Sequence, residues 1–395
     1  MKEKRIQYFE GLRAIMSFMV VLSHFLCVYY PVVRYADYEA VYGASLKIFA
    51  ETPLFILLNG DIALPFFFAA TGFMVGRSIF RKDPGTVSAD TVYRKLVARY
   101  LRFLPVIALT TIFTYLTMIL GLQQHLKITN PGANLKQLAL YCNFTPKLPS
   151  LIHNIFLKPF VDSSDYVGPF WTIRYELWNY VVAMLAALVL GRSPWRRLWY
   201  VVTILLISDQ LPIYYAMGIM GLFLADLQYN CRQTVLSKYY ESLLCKKWLH
   251  VICLVLSLYL SAVPNDADSV FYAFWYKLPL MSDDMLRGIG ISLFLFALLR
   301  MPALQKLLSW KPLVALGSIS FEVYAIHWPV MMVMEAGLFR IFERSMSYHG
   351  AAFSAFFLTL PVAYGVAYLM SAGIKKAQAC LRSCRENKSC PSAQA

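Results

Sequence analysis

Charge is scarce in this sequence. Only 15% of its 395 residues are Asp, Glu, Lys or Arg, against 59% hydrophobic, and acids are the rarer kind, with 22 Asp and Glu to 37 Lys and Arg. A soluble domain of this length could bury a large core without so much apolar sequence, so a soluble fold is set aside. Metal-type cysteine pairing is also missing. Eight cysteines are present, but the spacings in CLRSCRENKSC, residues 380–390, suit zinc poorly and no histidine lies near them. The first apolar run is of spanning length and no small-residue cleavage site follows it, so it reads as a transmembrane helix and not as a cleaved signal. No internal repeat is visible, which removes support for an inverted-repeat transporter.

What the sequence does have is long apolar runs, such as AIMSFMVVLSHFLCVYY and ISLFLFALL, and a mean hydropathy of +0.54. They predict an all-α, polytopic transmembrane bundle of about ten spans: 12–32, 62–80, 101–122, 170–191, 196–208, 211–228, 249–264, 285–301, 313–337 and 351–374. Residues 1–375 then form one integral-membrane domain, and 376–395 a basic, cysteine-containing cytoplasmic tail open to palmitoylation. An even count puts both termini on one side. With that side cytoplasmic, the inner segments carry 25 of the 37 Lys and Arg, as the positive-inside rule requires, and the outer loop near 264–285 is acidic through Asp266, Asp268, Asp283 and Asp284. The net charge of +15 is thus mostly topology, and nucleic acid is not an expected partner. The protein is expected to be multi-pass, in the plasma membrane or an internal one. Residues 123–169 form a long outer loop with turn signals (NPG, TPKLPS, KPF) and many Leu, Phe and Tyr, expected to lie on or dip into the outer face. It carries a glycosylation sequon at Asn143, followed by Pro146.

Ionisable residues inside spans usually face a cavity or a partner. Arg13 and His24 interrupt the first span; eleven residues is near three helical turns, so both project from one face, about 16 Å apart along the axis. Counting rise along the chain puts Glu176 about 9 Å below the outer boundary and His327 about 21 Å above the inner one. His24, Glu176 and His327 therefore fall at similar depth on three helices. Two imidazoles and a carboxylate at one level suit proton transfer. At the cytoplasmic side, SADTVYRKLVARYLRFLP reads as an amphipathic helix running into span 3. Lys95, Arg99 and Arg102 share a face there and, with Arg13, could hold an anionic phosphate. Blander readings exist for each. Arginines at span ends also serve as topology anchors, and an intramembrane histidine also serves as an interhelical hydrogen-bond partner. Glu322 and Glu335 are weaker candidates, Asp61 suits the interface, and Trp171, Trp178, Trp195 and Trp328 suit an aromatic belt or cavity wall.

In this order the segments resemble those of acyltransferase family 3, membrane-embedded enzymes that O-acylate sugars and other hydroxyl compounds. YFEGLRAIMSFMVVLSHF resembles the family's opening, with an arginine and a histidine separated by ten intervening residues, here Arg13 and His24. LPFFFAATGFMVGRSIF is similar to its second helix, with Thr71 where the family has serine before glycine. RYLRFLP resembles its Arg-x-x-Arg element at Arg99 and Arg102, FWTIRYELWNYVV its acid-bearing segment at Glu176, and LGSISFEVYAIHWPVMM its closing segment at His327. The family's Asp before the paired phenylalanines is absent, Pro65 standing nearby, and Tyr175 precedes the acid. The resemblance implies an acyl-CoA co-substrate, most commonly acetyl-CoA, with no permanently bound cofactor and no metal. It implies that Arg13, Arg99 and Arg102 bind the donor, that His24 acts as general base, that Glu176 orients His24 or stabilises its cation, and that His327 donates to the oxyanion. The acceptor would be a glycan, a lipid-linked sugar or a small hydroxylated metabolite; the form of residues 170–173 resembles fungal-type members, which often act on secondary metabolites. A proton-coupled transporter of a small polar solute is the alternative that the mid-depth His and Glu also fit.

Overall fold

The computed structural model describes residues 6–35, 38–39, 41–81, 87–210, 212–230, 234–235, 242–265, 269–278 and 282–388. Asp266, Asp268 and Cys390 lie outside the described residues, as does the side chain of Cys384. The described residues are helical and contain no strand. In hydrocarbon a helix satisfies its own backbone hydrogen bonds, so apolar runs of this length fold no other way.

The principal helices are α1 (Gln7–Tyr29), α2 (Ala63–Phe80), α3 (Ala89–Ile119), α4 (Leu148–Phe156), α5 (Trp171–Leu190), α6 (Arg196–Gln210), α7 (Ile213–Tyr229), α8 (Lys247–Ser261), α9 (Asp283–Arg300), α10 (Lys311–Gly317), α11 (Ser320–Val330), α12 (Ala336–Phe342) and α13 (Tyr348–Lys388). By length and composition, 6 helical stretches among the described residues can cross a membrane. They are α1, Gly60–Phe80, Ala89–Lys127, Gly168–Leu190, Ser320–Phe342 and Tyr348–Leu381. A seventh is α9 taken with Pro302–Leu308, bent by 101°. The expected spans at 196–208, 211–228 and 249–264 are helices of 15, 17 and 15 residues, at or below the shortest run that crosses about 30 Å of hydrocarbon. The expected span at 313–337 is instead divided by a turn at Ser318–Ile319, and crosses as 320–342.

Helix α3 shows how the bundle is built. Ser88 caps its first turn by accepting from the Thr91 N–H at 3.2 Å. Leu109, Ile112, Leu116 and Ile119 form an exposed stripe at helical spacing, whereas Val106, Thr110, Thr114 and Thr117 are buried. The apolar face points outward and the hydroxyls turn inward, those of Thr114 and Thr117 bonding back to the Thr110 and Thr114 carbonyls of their own helix. The core of the bundle is the crossing of α2 and α7. A Cβ on Gly221 would stand 1.8 Å from the Ala69 carbonyl oxygen, and one on Gly72 would stand 1.9 Å from that of Gly218. Only glycine admits that approach, the device that small residues serve in membrane bundles.

Helices α11 and α12 are joined by a π-turn, Met331–Glu335. Pro329 lies just before it and has no N–H to offer the Ala325 carbonyl, so the ladder is already broken where the helix widens. Much of the long loop 123–169 packs into the protein: His125, Ile128, Leu138, Cys142, Tyr166 and Val167 are buried. Asn143 is exposed. The end of the loop is latched by Asp165, which accepts from Lys158 and, at 3.0 Å, from Asn154. Burial raises the Asp165 pKa, but these bonds outweigh it and hold the carboxyl below its ordinary value. Helix α13 runs unbroken through residue 375, so no change of structure marks the expected start of the tail.

Candidate active site

Two places hold the sequence-predicted residues. The first is a histidine pair. His24 comes from the middle of α1 and His327 from α11, and His24 Nδ1 lies 2.8 Å from His327 Nε2. Their rings are near-parallel, 5.0 Å apart, and His327 is fully buried. The other ring nitrogen, His327 Nδ1, lies 3.1 Å from the Val323 carbonyl oxygen. That contact fixes the protons. A carbonyl only accepts, so His327 Nδ1 carries the hydrogen; a neutral His327 then has a bare Nε2, and His24 Nδ1 must donate to it. The remaining nitrogen of the pair, His24 Nε2, is left with its lone pair. Trp328 packs edge-on against His24 at 4.9 Å, and Tyr141 of the outer loop packs edge-on against Trp328, also at 4.9 Å.

The second place is a cavity of about 650 Å³, lined by basic residues at one end and by Phe, Thr and Tyr at the other. Arg13, Lys95, Arg99 and Arg102 all line it, so the face read from α3 and the first turn of α1 does converge. Lys375 and Gln378 of α13 add to the same wall. Lys375 stands at the end of the expected membrane domain and carries no site role in the sequence reading; nothing in its spacing ties it to α3, with which it shares this cavity. Thr172 and Tyr324 also line the cavity; their hydroxyls are 2.6 Å apart, and Tyr324 also donates to the Pro169 carbonyl. Tyr324 sits one turn before His327.

Glu176 does not join the histidines. It forms an ion pair with Arg99 and accepts from the Thr71 hydroxyl at 2.5 Å, while Thr71 accepts from Arg99 at 3.0 Å. Arg99 is further held between the faces of Phe103 and Tyr180, at 4.8 and 5.1 Å. The expectation from the sequence concerned depth alone, and depth is one coordinate of three. The lateral position is set by which helix packs where, and α5 faces α2 and α3, so its carboxylate turns to their Arg and Thr. His327, for its part, has no N–H left for an oxyanion, because one nitrogen is spent on a backbone carbonyl and the other on His24.

One polar group was missed. Arg34 donates to Asp61 at 2.8 Å and to Ser23, the neighbour of His24, at 3.1 Å. Buried Arg287 lies 3.7 Å from the same carboxylate and donates to Asn265 at 2.6 Å and to the Val263 carbonyl. Asp61 is therefore the centre of an ion-pair network and not a residue idling in the interface. Its partners lie 27 and more than two hundred residues away, beyond any local pattern.

The acyltransferase-domain model of family 3 matches residues 6–369, nearly the whole chain. The chain belongs to acyltransferase family 3. No curated protein and no solved structure matches it. The histidine pair falls within the matched acyltransferase domain, as does the cavity apart from the stretch of α13 that brings Lys375 and Gln378, and this acyltransferase is an integral, multi-pass membrane protein.

Proposed function

We propose that this acyltransferase moves an acyl group, acetyl in the simplest case, from cytoplasmic acyl-CoA to a hydroxyl of a glycan, a lipid-linked sugar or a small hydroxylated metabolite. In this reading the chain crosses the membrane about ten times, the shorter helices included, with both termini in the cytoplasm. The observation that carries the reading is that one helix bears both a bare imidazole nitrogen, His24 Nε2, and Arg13, which lines the cationic cavity.

Arg13, Arg102, Lys95 and Lys375 would hold the donor's phosphates; guanidinium forks match phosphate oxygens and lysines add point charge. Arg99, tied to Glu176 and Thr71, would serve as a fixed cation on that wall. The pantetheine arm would lie along the Phe- and Thr-lined part of the cavity, and its thioester would reach His24 once the Tyr324–Thr172 contact parts. The acceptor would approach from the outer side, under the 123–169 loop. His24 Nε2 would take the hydroxyl proton as the oxygen attacks the thioester carbonyl. The tetrahedral intermediate would then break its C–S bond, and His24 would return that proton to the departing thiolate. His327 Nε2, accepting from His24 Nδ1–H throughout, would steady the imidazolium that forms between the two steps. His327 is thus a positioning residue in this scheme and His24 the catalytic base.

The test is acyl transfer in membranes. His24→Ala should express and insert yet transfer nothing, and His24→Ala with wild-type turnover would refute the base. Labelled solute that crosses the membrane with its acyl donor untouched would favour the transporter.

A further inference from the structure

A tetrahedral intermediate needs a hydrogen-bond donor where its oxyanion develops, and His327 has none to give. The two rings packed against His24 are those of His327 and Trp328. Trp328 is only 2% exposed, and its indole Nε1–H has no hydrogen-bond partner. Buried indole N–H groups ordinarily find an acceptor. This one is held in place from both sides, edge-on to His24 and edge-on to Tyr141, with the loop that carries Tyr141 anchored by His125, whose ring nitrogens lie 3.0 and 3.3 Å from the Tyr141 and Met332 carbonyl oxygens. An N–H kept dry, rigid and unsatisfied beside the base is the arrangement that stabilises charge appearing only in the transition state. Other buried N–H groups without partners, on Arg99, Arg174 and Asn179, belong to side chains that do not pack on His24.

We propose that Trp328 is the oxyanion donor of the transfer reaction: its indole N–H receives the negative charge of the thioester oxygen as the acceptor hydroxyl attacks. The inference rests on the acyl-transfer reading above and adds a catalytic residue to it. No atom is exchanged with Trp328. Its N–H bond stays intact while the carbonyl C–O bond becomes single and then double again as the thiolate leaves.

The experiment compares steady-state transfer by wild type, Trp328→Phe and a variant carrying 3-benzothienylalanine at position 328, in which sulfur replaces the indole N–H at nearly the same shape. Acetyl-CoA is the donor, with the acceptor that wild-type membranes acylate. Both variants should lose about 10²–10³-fold in kcat, as removal of one oxyanion donor does elsewhere, with the donor KM unchanged. A benzothienyl variant with wild-type kcat overturns the proposal, even if Trp328→Phe is slow, because only packing would then have mattered. If Trp328→Phe fails to fold, the benzothienyl variant alone decides. Transfer by wild type with no deficit in the benzothienyl variant sinks this inference and leaves the function standing; no transfer by wild type with any acceptor sinks both.

Discussion

At the scale of single residues, the account turns on which nitrogen holds which proton. Val323 is an ordinary valine, yet its carbonyl dictates the tautomer of His327 and, through it, that of His24. Replacing His327 by Gln keeps an oxygen that can accept from His24 Nδ1, whereas Ala removes the acceptor. We expect His327→Gln to retain several-fold more kcat than His327→Ala, with the latter down by about 10²-fold or more and donor KM unmoved in both. Equal losses in the two variants would reduce His327 to a packing residue. Glu176 makes a different prediction, because its role is to neutralise Arg99. Both side chains are largely buried, at 18% and 14% exposed. Glu176→Gln keeps the shape and removes the charge, leaving the guanidinium uncompensated, and should destabilise the folded protein by about 3 kcal/mol, read as a lower thermal midpoint in detergent. Charge removal from both sides, in Glu176→Gln with Arg99→Met, should recover part of that loss.

At the scale of elements, the sequence speaks clearly where a face is periodic and falls silent where helices meet. Lys95, Arg99 and Arg102 were readable as one face from their spacing, and they line one cavity. The contact between Glu176 and Arg99 was not, since it depends on how α5 leans on α3. The same holds for the α2–α7 crossing. Its glycines are visible in the sequence, but their partners are backbone atoms of another helix. Gly221→Ala would drive a methyl to 1.8 Å from the Ala69 carbonyl oxygen, so the helices must separate. A loss of folded yield is expected, with overpacking of this kind costing about 1–3 kcal/mol or more. Size-exclusion profiles in detergent that match wild type would contradict it. The outer loop offers a test of pH. Asp165 has a lowered pKa in the folded loop, so its contribution is present above its unfolded value, near about 4, and is lost as pH falls through the lower folded value. Amide protection factors across residues 148–170, exchange rates taken relative to the intrinsic rate at each pH, should be high at neutral pH and fall only in strong acid, and Asp165→Asn should show the lower protection already at neutral pH.

At the scale of the whole molecule, composition made the class legible: an all-helical membrane protein, with a cationic inner surface as the proposed orientation. Five short segments in order made the acyltransferase family legible as well, and the match over residues 6–369 agrees. Span lengths were less legible, because α6, α7 and α8 read as apolar runs but form helices of only 15, 17 and 15 residues. The Arg34–Asp61–Arg287 network was illegible for the reason that long-range ion pairs always are: its members come from three distant segments and share no local pattern. What the assembled molecule adds is a division between two places, a cavity lined by Arg13, Lys95, Arg99, Arg102 and Lys375 and a histidine pair of His24 and His327. Replacing Arg102 and Lys375 together by Ala should therefore raise the donor KM about tenfold or more and leave kcat nearly intact, while changes at His24 do the reverse. The measurement that bears most directly on this arrangement is transfer of label from acetyl-CoA in membranes containing wild type or His24→Ala, with acylated products resolved by mass spectrometry. A hydroxyl ester formed by wild type and absent with an inserted, folded His24→Ala is the predicted result; ester formation at the same rate by both would contradict it.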